Sequence, residues 1–269
     1  MNLSAQPLPG SFGVTIPELD LARLTVQEAE ALRGLLKTHA LVVLRRQCLH
    51  DADLHRASQL MGRVEDAANA RTASQESPGV VLLSNLYDAQ GQAVGGLGSD
   101  EVTWHADQYF RQSPATLSIL YAALVPTGEG DTWWCNTRMG HEALSPSLQA
   151  RIAPLRGCYR TPQAATIAHR EVTHPLVLPH PGSPRHSLYV SLRTFGVEGM
   201  EAVEGRALLD ELLAHNLREA HLYRHTWRVG DVVLYDNGQT LHRRDPFTGP
   251  RFMKATRVFL DPSEFPVPN

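Results

Sequence analysis

Gly230-Asp231-Val232-Val233-Leu234-Tyr235-Asp236-Asn237 is a short apolar, β-rich run with glycine before it and Asp-Asn after it, the pattern of a strand that enters a core and ends in a turn. Leu41-Val42-Val43-Leu44 has the same character with no polar alternation, as expected of a strand buried on both faces. Further strand-like segments run over 80–83, 117–125, 175–178, 187–192 and 252–260, most of them bounded by Gly, Pro, Asn or Asp. Apolar spacings of three and four predict helices from Leu24 to His39 with Thr25 as N-cap, from Asp51 through Met61, from Ser145 onward, and from about Glu201 to His215. The polar stretch 65–78 reads as a mobile loop. Because the strands are spread along the whole chain without regular helix alternation, a parallel doubly wound sheet fits poorly. The expectation is a mainly β fold with flanking helices, a sandwich or jelly roll. No internal repeat and no Gly/Ser-rich linker divides residues 1–269, which predicts a single domain.

Composition narrows the function. The chain has 269 residues, 42% hydrophobic and 20% charged, with a formal charge of -3. That balance leaves no basic excess for a nucleic-acid backbone or an anionic membrane. The first residues lack the basic start and apolar run of an export signal, and no later stretch stays apolar for about 18 residues, so a cytoplasmic protein without a membrane anchor is expected. Cys48, Cys135 and Cys158 are widely spaced and odd in number, which reads as reduced, structural thiols.

With 13 histidines and 28 acidic residues, an accidental His-x-Asp/Glu match is expected, and two occur. On an extended segment, residues i and i+2 point to the same face, so such a pair can share a metal. His105-Ala106-Asp107 follows the glycine-rich Gly95-Gly96-Leu97-Gly98 and precedes the long strand candidate at 117–125. His169-Arg170-Glu171 lies between turn signals without a second partner set and reads as a solvated loop. Three more segments follow His105 and Asp107 in order: Gly128-Glu129-Gly130-Asp131-Thr132-Trp133-Trp134, the run at 230–237 leading to His242, and Arg251-Phe252-Met253-Lys254. Trp104, Trp133 and Trp134 are expected as packing around this centre. Arg243, Arg244 and Asp245 read equally as a salt bridge steadying the ligand strand or as a solvated cluster.

This ordered set resembles the taurine dioxygenase family of iron and 2-oxoglutarate enzymes, which includes phenoxyacetate dioxygenases, over about residues 35–260. The resemblance implies a double-stranded β-helix (jelly roll) core. It also implies Fe(II) held by His105, Asp107 and His242, a facial triad that leaves positions open for 2-oxoglutarate and O2. Succinate and CO2 would be the co-products of oxidising a substrate C–H bond. A carboxylate at Asp107, where related halogenases carry a small residue, argues against halogenation.

A buried anion demands a cationic fork. By the resemblance, Arg251, in its Arg-x-Met pattern, and Thr132 hold the far carboxylate of 2-oxoglutarate. Many members carry a second arginine four residues later, where this chain has Ala255. Arg257 shares the strand face of Arg251, Met253 and Ala255 and is the alternative contact for an acidic substrate. Asn85, Tyr109 and Arg193 are the remaining substrate-side candidates. The expected partner is a small, carboxylate-bearing or amino-acid-like molecule, and a symmetric homo-oligomer is the default assembly. Two other readings share part of the pattern: a zinc hydrolase or lyase using the same three ligands, and a non-catalytic 2-oxoglutarate sensor.

Overall fold

The computed structural model describes residues 3–10, 12–67, 69, 71–162 and 170–268. His169 lies outside them, and Glu171 is exposed. In chain order the elements that build the site are β1 (Val14–Ile16), α1 (Val26–His39), β2 (Leu41–Leu44), α2 (Asp51–Met61), β3 (Val81–Ser84), β4 (Gly96–Leu97), β5 (Val102–His105), β6 (Leu117–Leu124), β7 (Thr132–Asn136), α3 (Thr137–Glu142), α4 (Pro146–Ile152), α5 (Ala202–Asn216), β8 (Leu222–His225), β9 (Val232–Asp236), β10 (Thr240–Arg244) and β11 (Phe252–Phe259). No helix among the described residues is long and apolar enough to cross a membrane.

Two sheets face each other. The larger carries the order β1-β2-β9-β6-β11-β3-β4, with a two-residue strand at Gln6–Pro7 beyond β1. The smaller has the order β8-β7-β10-β5. Strand periodicity explains how both faces of the larger sheet are buried. Val42, Leu44, Val232, Leu234, Leu117 and Ile119 point toward Leu32 and Leu36 of α1 and Leu54 of α2. Their neighbours Leu41, Val43, Val233, Tyr235, Leu120 and Met253 point the other way and pack with Trp134, Tyr223 and Trp227 from the smaller-sheet side. The fold is therefore mainly β, with five α-helices among the described residues, as expected.

Local chemistry sets several boundaries. Thr25 caps α1 with a reciprocal box: the Glu28 amide donates to its hydroxyl at 3.3 Å, and the Thr25 amide donates to the Glu28 carboxylate at 2.9 Å. The strand expected over 187–192 stops at Leu188. There the Asn216 side-chain amide donates to the Leu188 and Val190 carbonyls, taking the place of a ladder partner. The segment expected over 175–178 is split between Glu171–Pro175 and Val177–Pro179, which join different sheets. All three cysteines are free thiols.

The turn that carries the chain from β9 to β10 hangs on a buried carboxyl. Asp236 accepts from the Gly238 amide (2.9 Å), the Gln239 amide (3.2 Å) and the Gln239 side chain (2.6 Å). Burial nevertheless pushes this carboxyl up to about 7, well above the roughly 3.9 of an unfolded aspartate. Folding thus favours the protonated form. The stabilisation is complete below the unfolded value and is lost as pH rises through about 7. Asp236→Asn should remove this dependence. In urea titrations of metal-free protein between pH 5 and pH 8, the stability of wild type relative to the variant should fall by a few kcal/mol. A constant difference would contradict the assignment.

Candidate metal centre and co-substrate cavity

The smaller sheet brings two imidazoles together by register. His242 of β10 lies opposite His105 of β5 on one side and Trp134 of β7 on the other. The two imidazole rings are 4.2 Å apart, centroid to centroid, and the Trp134 ring stacks on His242. Asp107 follows two residues after His105. Its backbone is clamped by Asn237, whose side chain accepts from the Asp107 amide (2.7 Å) and donates to the Asp107 carbonyl (2.9 Å). The ligand atoms of His105, Asp107 and His242 all lie within 4.8 Å of one another, and no other such group of His, Cys, Asp or Glu exists among the described residues.

The larger sheet supplies the partners of that carboxylate from one cross-strand row. Ser118 of β6 is paired with Tyr235 of β9 and with Arg257 of β11. The Ser118 and Tyr235 hydroxyls both donate to Asp107 Oδ2 at 2.6 Å, and Arg257 Nη2 donates to Oδ1 at 3.0 Å. With both Oδ2 lone pairs occupied, the remaining one is on Oδ1, the oxygen 3.9 Å from His242 Nε2. His105 Nδ1 lies 2.7 Å from the Thr103 carbonyl. A carbonyl only accepts, so Nδ1 carries the proton and Nε2 keeps its lone pair, the usual outer-sphere arrangement of a metal-bound histidine.

The protonation states also suit a cation. Burial lowers His105 and, joined by the His105 charge, takes His242 down to about 3. Burial alone would raise Asp107, but Arg257, the two imidazoles and the Ser118 hydrogen bond hold it far below the usual carboxylate range. Two neutral imidazoles and one ionised carboxylate are the donor set a divalent metal requires.

Above this centre is a cavity of about 580 Å³, lined among others by Leu83, Leu97, Val102, Phe110 and Thr132. Its inner wall carries Arg251, buried just before β11. The Arg251 backbone is fixed by Asn85, which accepts from its amide at 2.9 Å, and by the Ser84 hydroxyl, which donates to its carbonyl at 3.0 Å. The guanidinium lies between the Trp227 and Phe247 rings, 5.9 and 5.2 Å from their centroids, and donates to the Gly130 carbonyl. Gly130 has a positive φ of 67°, and a Cβ there would fall 2.5 Å from Arg251 Nη1, so the Gly-Asp-Thr motif needs its glycine. No carboxylate among the described residues forms an ion pair with Arg251. Burial, then the charge of Arg244, pulls it down to about 9. This is a buried cation built to receive an anion.

The other expected residues fall into distinct places. Thr132 and Tyr109 are buried in the cavity wall, and Arg193 is exposed at its rim. Arg257 also lines the cavity, but its guanidinium is engaged by Asp107. Asn85 is not in the lining. Both ends of its amide are taken by the Arg251 amide and the Gly249 carbonyl. Arg243 pairs with Asp245 at 2.6 Å, and Asp245 also accepts from the Trp133 indole. Arg244 instead reaches the Leu97 and Asp100 carbonyls. Sequence reading missed Ser118, Tyr235, Asn237 and Trp227. Tyr235 and Asn237 lay in the motif run at 230–237 and Ser118 in the strand candidate at 117–125, whereas Trp227 lay in no segment singled out.

The model of the taurine catabolism dioxygenase TauD, TfdA family matches residues 4–257. The chain belongs to the TauD/TfdA family. It is 31% identical over 267 residues to the alpha-ketoglutarate-dependent 2,4-dichlorophenoxyacetate dioxygenase of Cupriavidus pinatubonensis, covering 90% of this chain and 92% of that one. Pentalenolactone F synthase of Streptomyces arenae is 28% identical over 265 residues, covering 87% of each. The crystal structure of AAD-2 in complex with Mn(II) and N-oxalylglycine matches with a TM-score of 0.85 and 28% identity, covering 98% of this chain and 99% of that one. A taurine dioxygenase from Burkholderia xenovorans matches with a TM-score of 0.84 and 25% identity, covering 100% and 95%. This TauD/TfdA-family chain is a non-haem dioxygenase that uses Fe(II), 2-oxoglutarate and O2, which sets aside the zinc-hydrolase and sensor readings.

Proposed function

We propose that this dioxygenase, one domain on a double-stranded β-helix core, oxidises a C–H bond of a small anionic molecule with an apolar body, by hydroxylation or desaturation. Succinate and CO2 are its co-products. His105, Asp107 and His242 hold the iron, which supplies the oxidising power when 2-oxoglutarate and O2 are bound. Thr132 and Arg251 hold the far carboxylate of 2-oxoglutarate. The observation that carries this reading is the pairing, in one cavity, of a metal-competent triad with a buried guanidinium that forms no ion pair with a carboxylate among the described residues. The row of Ser118, Tyr235 and Arg257 keeps Asp107 ionised and turned toward the two imidazoles, and apolar walls keep water from the reacting carbon.

Arg193 anchors the prime substrate's acid. Of the four arginines lining the cavity, Arg251, Arg244 and Arg257 already donate to protein oxygens. The Arg193 side chain has no such partner among the described residues, and its charge reaches both His105 and Tyr109. Arg193→Ala should raise the substrate KM on the order of ten-fold or more, as for loss of a charge-assisted contact, with the 2-oxoglutarate KM unchanged. The direct test is a screen of acids and their neutral amides or esters for stimulated succinate formation in the presence of Fe(II), 2-oxoglutarate and O2. Equal stimulation by an acid and its neutral counterpart would reject the anionic substrate class.

A further inference from the structure

We infer that Trp227 is a positioning residue for the co-substrate, fixing the direction of the Thr132 hydroxyl and closing one face of the Arg251 guanidinium. The inference rests on the proposed assignment of Thr132 and Arg251 to the distal carboxylate of 2-oxoglutarate. Trp227 is buried in the segment between β8 and β9. Its indole N–H donates to Thr132 Oγ1 at 2.9 Å. An indole nitrogen only donates, whereas a hydroxyl both donates and accepts. Thr132 Oγ1 must therefore accept here, and its own proton is left to point elsewhere. No protein acceptor for that proton is present among the described residues, and Thr132 lines the cavity. A carboxylate seated against Arg251 is the acceptor this arrangement is prepared for.

The same indole ring lies under the Arg251 guanidinium, 5.9 Å from centroid to carbon, so one side chain governs both contacts. Its own orientation is set by neighbours rather than by a ligand. The His225 ring meets it edge-on at 4.5 Å and Trp134 packs at 6.2 Å. His225 is in turn held between the Tyr223 hydroxyl (2.9 Å) and Asp231 (3.1 Å). A donor held this way directs the hydroxyl before the ligand arrives, which lowers the ordering cost of binding. Trp227 thereby acts on selectivity for 2-oxo acids that carry a second carboxylate.

The test uses the full-length protein loaded with Mn(II), titrated calorimetrically with 2-oxoglutarate and with 2-oxovalerate, which has the same chelating head and no distal carboxylate. Trp227→Phe keeps an aromatic ring and removes the N–H. It should weaken 2-oxoglutarate on the order of five- to twenty-fold, the scale of one buried hydrogen bond, and leave 2-oxovalerate unchanged. In turnover the 2-oxoglutarate KM should rise with kcat preserved at saturation. In a Thr132→Val background the added effect of Trp227→Phe should largely vanish. Should the Phe variant fold poorly, β-(3-benzothienyl)alanine at position 227, which replaces the N–H by sulfur, should reproduce the result. Equal weakening of both ligands, or an undiminished effect in the Thr132→Val background, overturns the inference. So does unchanged 2-oxoglutarate affinity in Trp227→Phe when Thr132→Val and Arg251→Ala both lose affinity. If those last two variants themselves bind 2-oxoglutarate normally, the carboxylate assignment fails, and the role of Trp227 falls with it.

Discussion

Asp107→Ala should lose both metal binding and substrate oxidation, by more than the roughly 10–100-fold that loss of an outer partner costs. The variant removes a proposed metal ligand and also the carboxylate that pairs with Arg257. A guanidinium 3.0 Å from Oδ1 would then face the metal position with nothing between them, and a divalent cation would meet a like charge. The partners of the carboxylate should be graded below this. Tyr235→Phe and Ser118→Ala each remove one of two hydroxyl donors to Oδ2, so each should weaken metal affinity on the order of ten-fold. Mn(II) affinity by calorimetry and succinate formation are the two readouts. Full metal affinity in Asp107→Ala would place the metal elsewhere.

Arg251→Ala should raise the 2-oxoglutarate Kd on the order of a hundred-fold, because truncating one partner of a buried charge pair costs about 2–5 kcal/mol. Metal affinity should be unaffected, since Arg251 donates to the Gly130 carbonyl and makes no hydrogen bond to a triad residue. Arg251→Lys should recover part of the loss: a single ammonium restores the charge but lacks the bidentate fork. The prime-substrate KM, measured at saturating 2-oxoglutarate, should stay near wild type and so separate this residue from Arg193. The reverse pattern, with substrate affinity lost and 2-oxoglutarate affinity kept, would exchange the two arginines.

Legibility differed sharply between the two sheets. The larger one was readable because Leu41-Val42-Val43-Leu44 and the core of 230–237 are aliphatic runs whose burial on both faces leaves a local mark. The smaller one was not. Its strands read Thr-Trp-Trp-Cys-Asn, Thr-Leu-His-Arg-Arg, Val-Thr-Trp-His and Leu-Tyr-Arg-His, where ligands, aromatic walls and charged pairs displace the usual β-branched residues. The site itself thus masks the strands that hold it. His105, Asp107 and His242, which the structure brings together, were legible as a candidate set because spacing and motif order carry chemical meaning. Ser118 was not, since a serine in an apolar strand looks the same whether or not it serves a metal ligand.

Donor identities and the sign of each charge are local properties, and the sequence by itself determined them: two imidazoles, a carboxylate and a strand face shared by Arg251 and Arg257. Only the tertiary structure decided which atoms meet. Ser118 lies more than a hundred residues before Tyr235 and Arg257 in sequence, and the common row of the three exists through the register of β9, β6 and β11. That register left Oδ1 of Asp107 open to a metal and engaged Arg257, while Asn85 went to the Arg251 backbone and Arg193 stayed the lining arginine whose side chain has no protein oxygen partner among the described residues. Cross-strand pairing is set by how whole sheets pack their apolar faces together, a global balance that no single segment encodes.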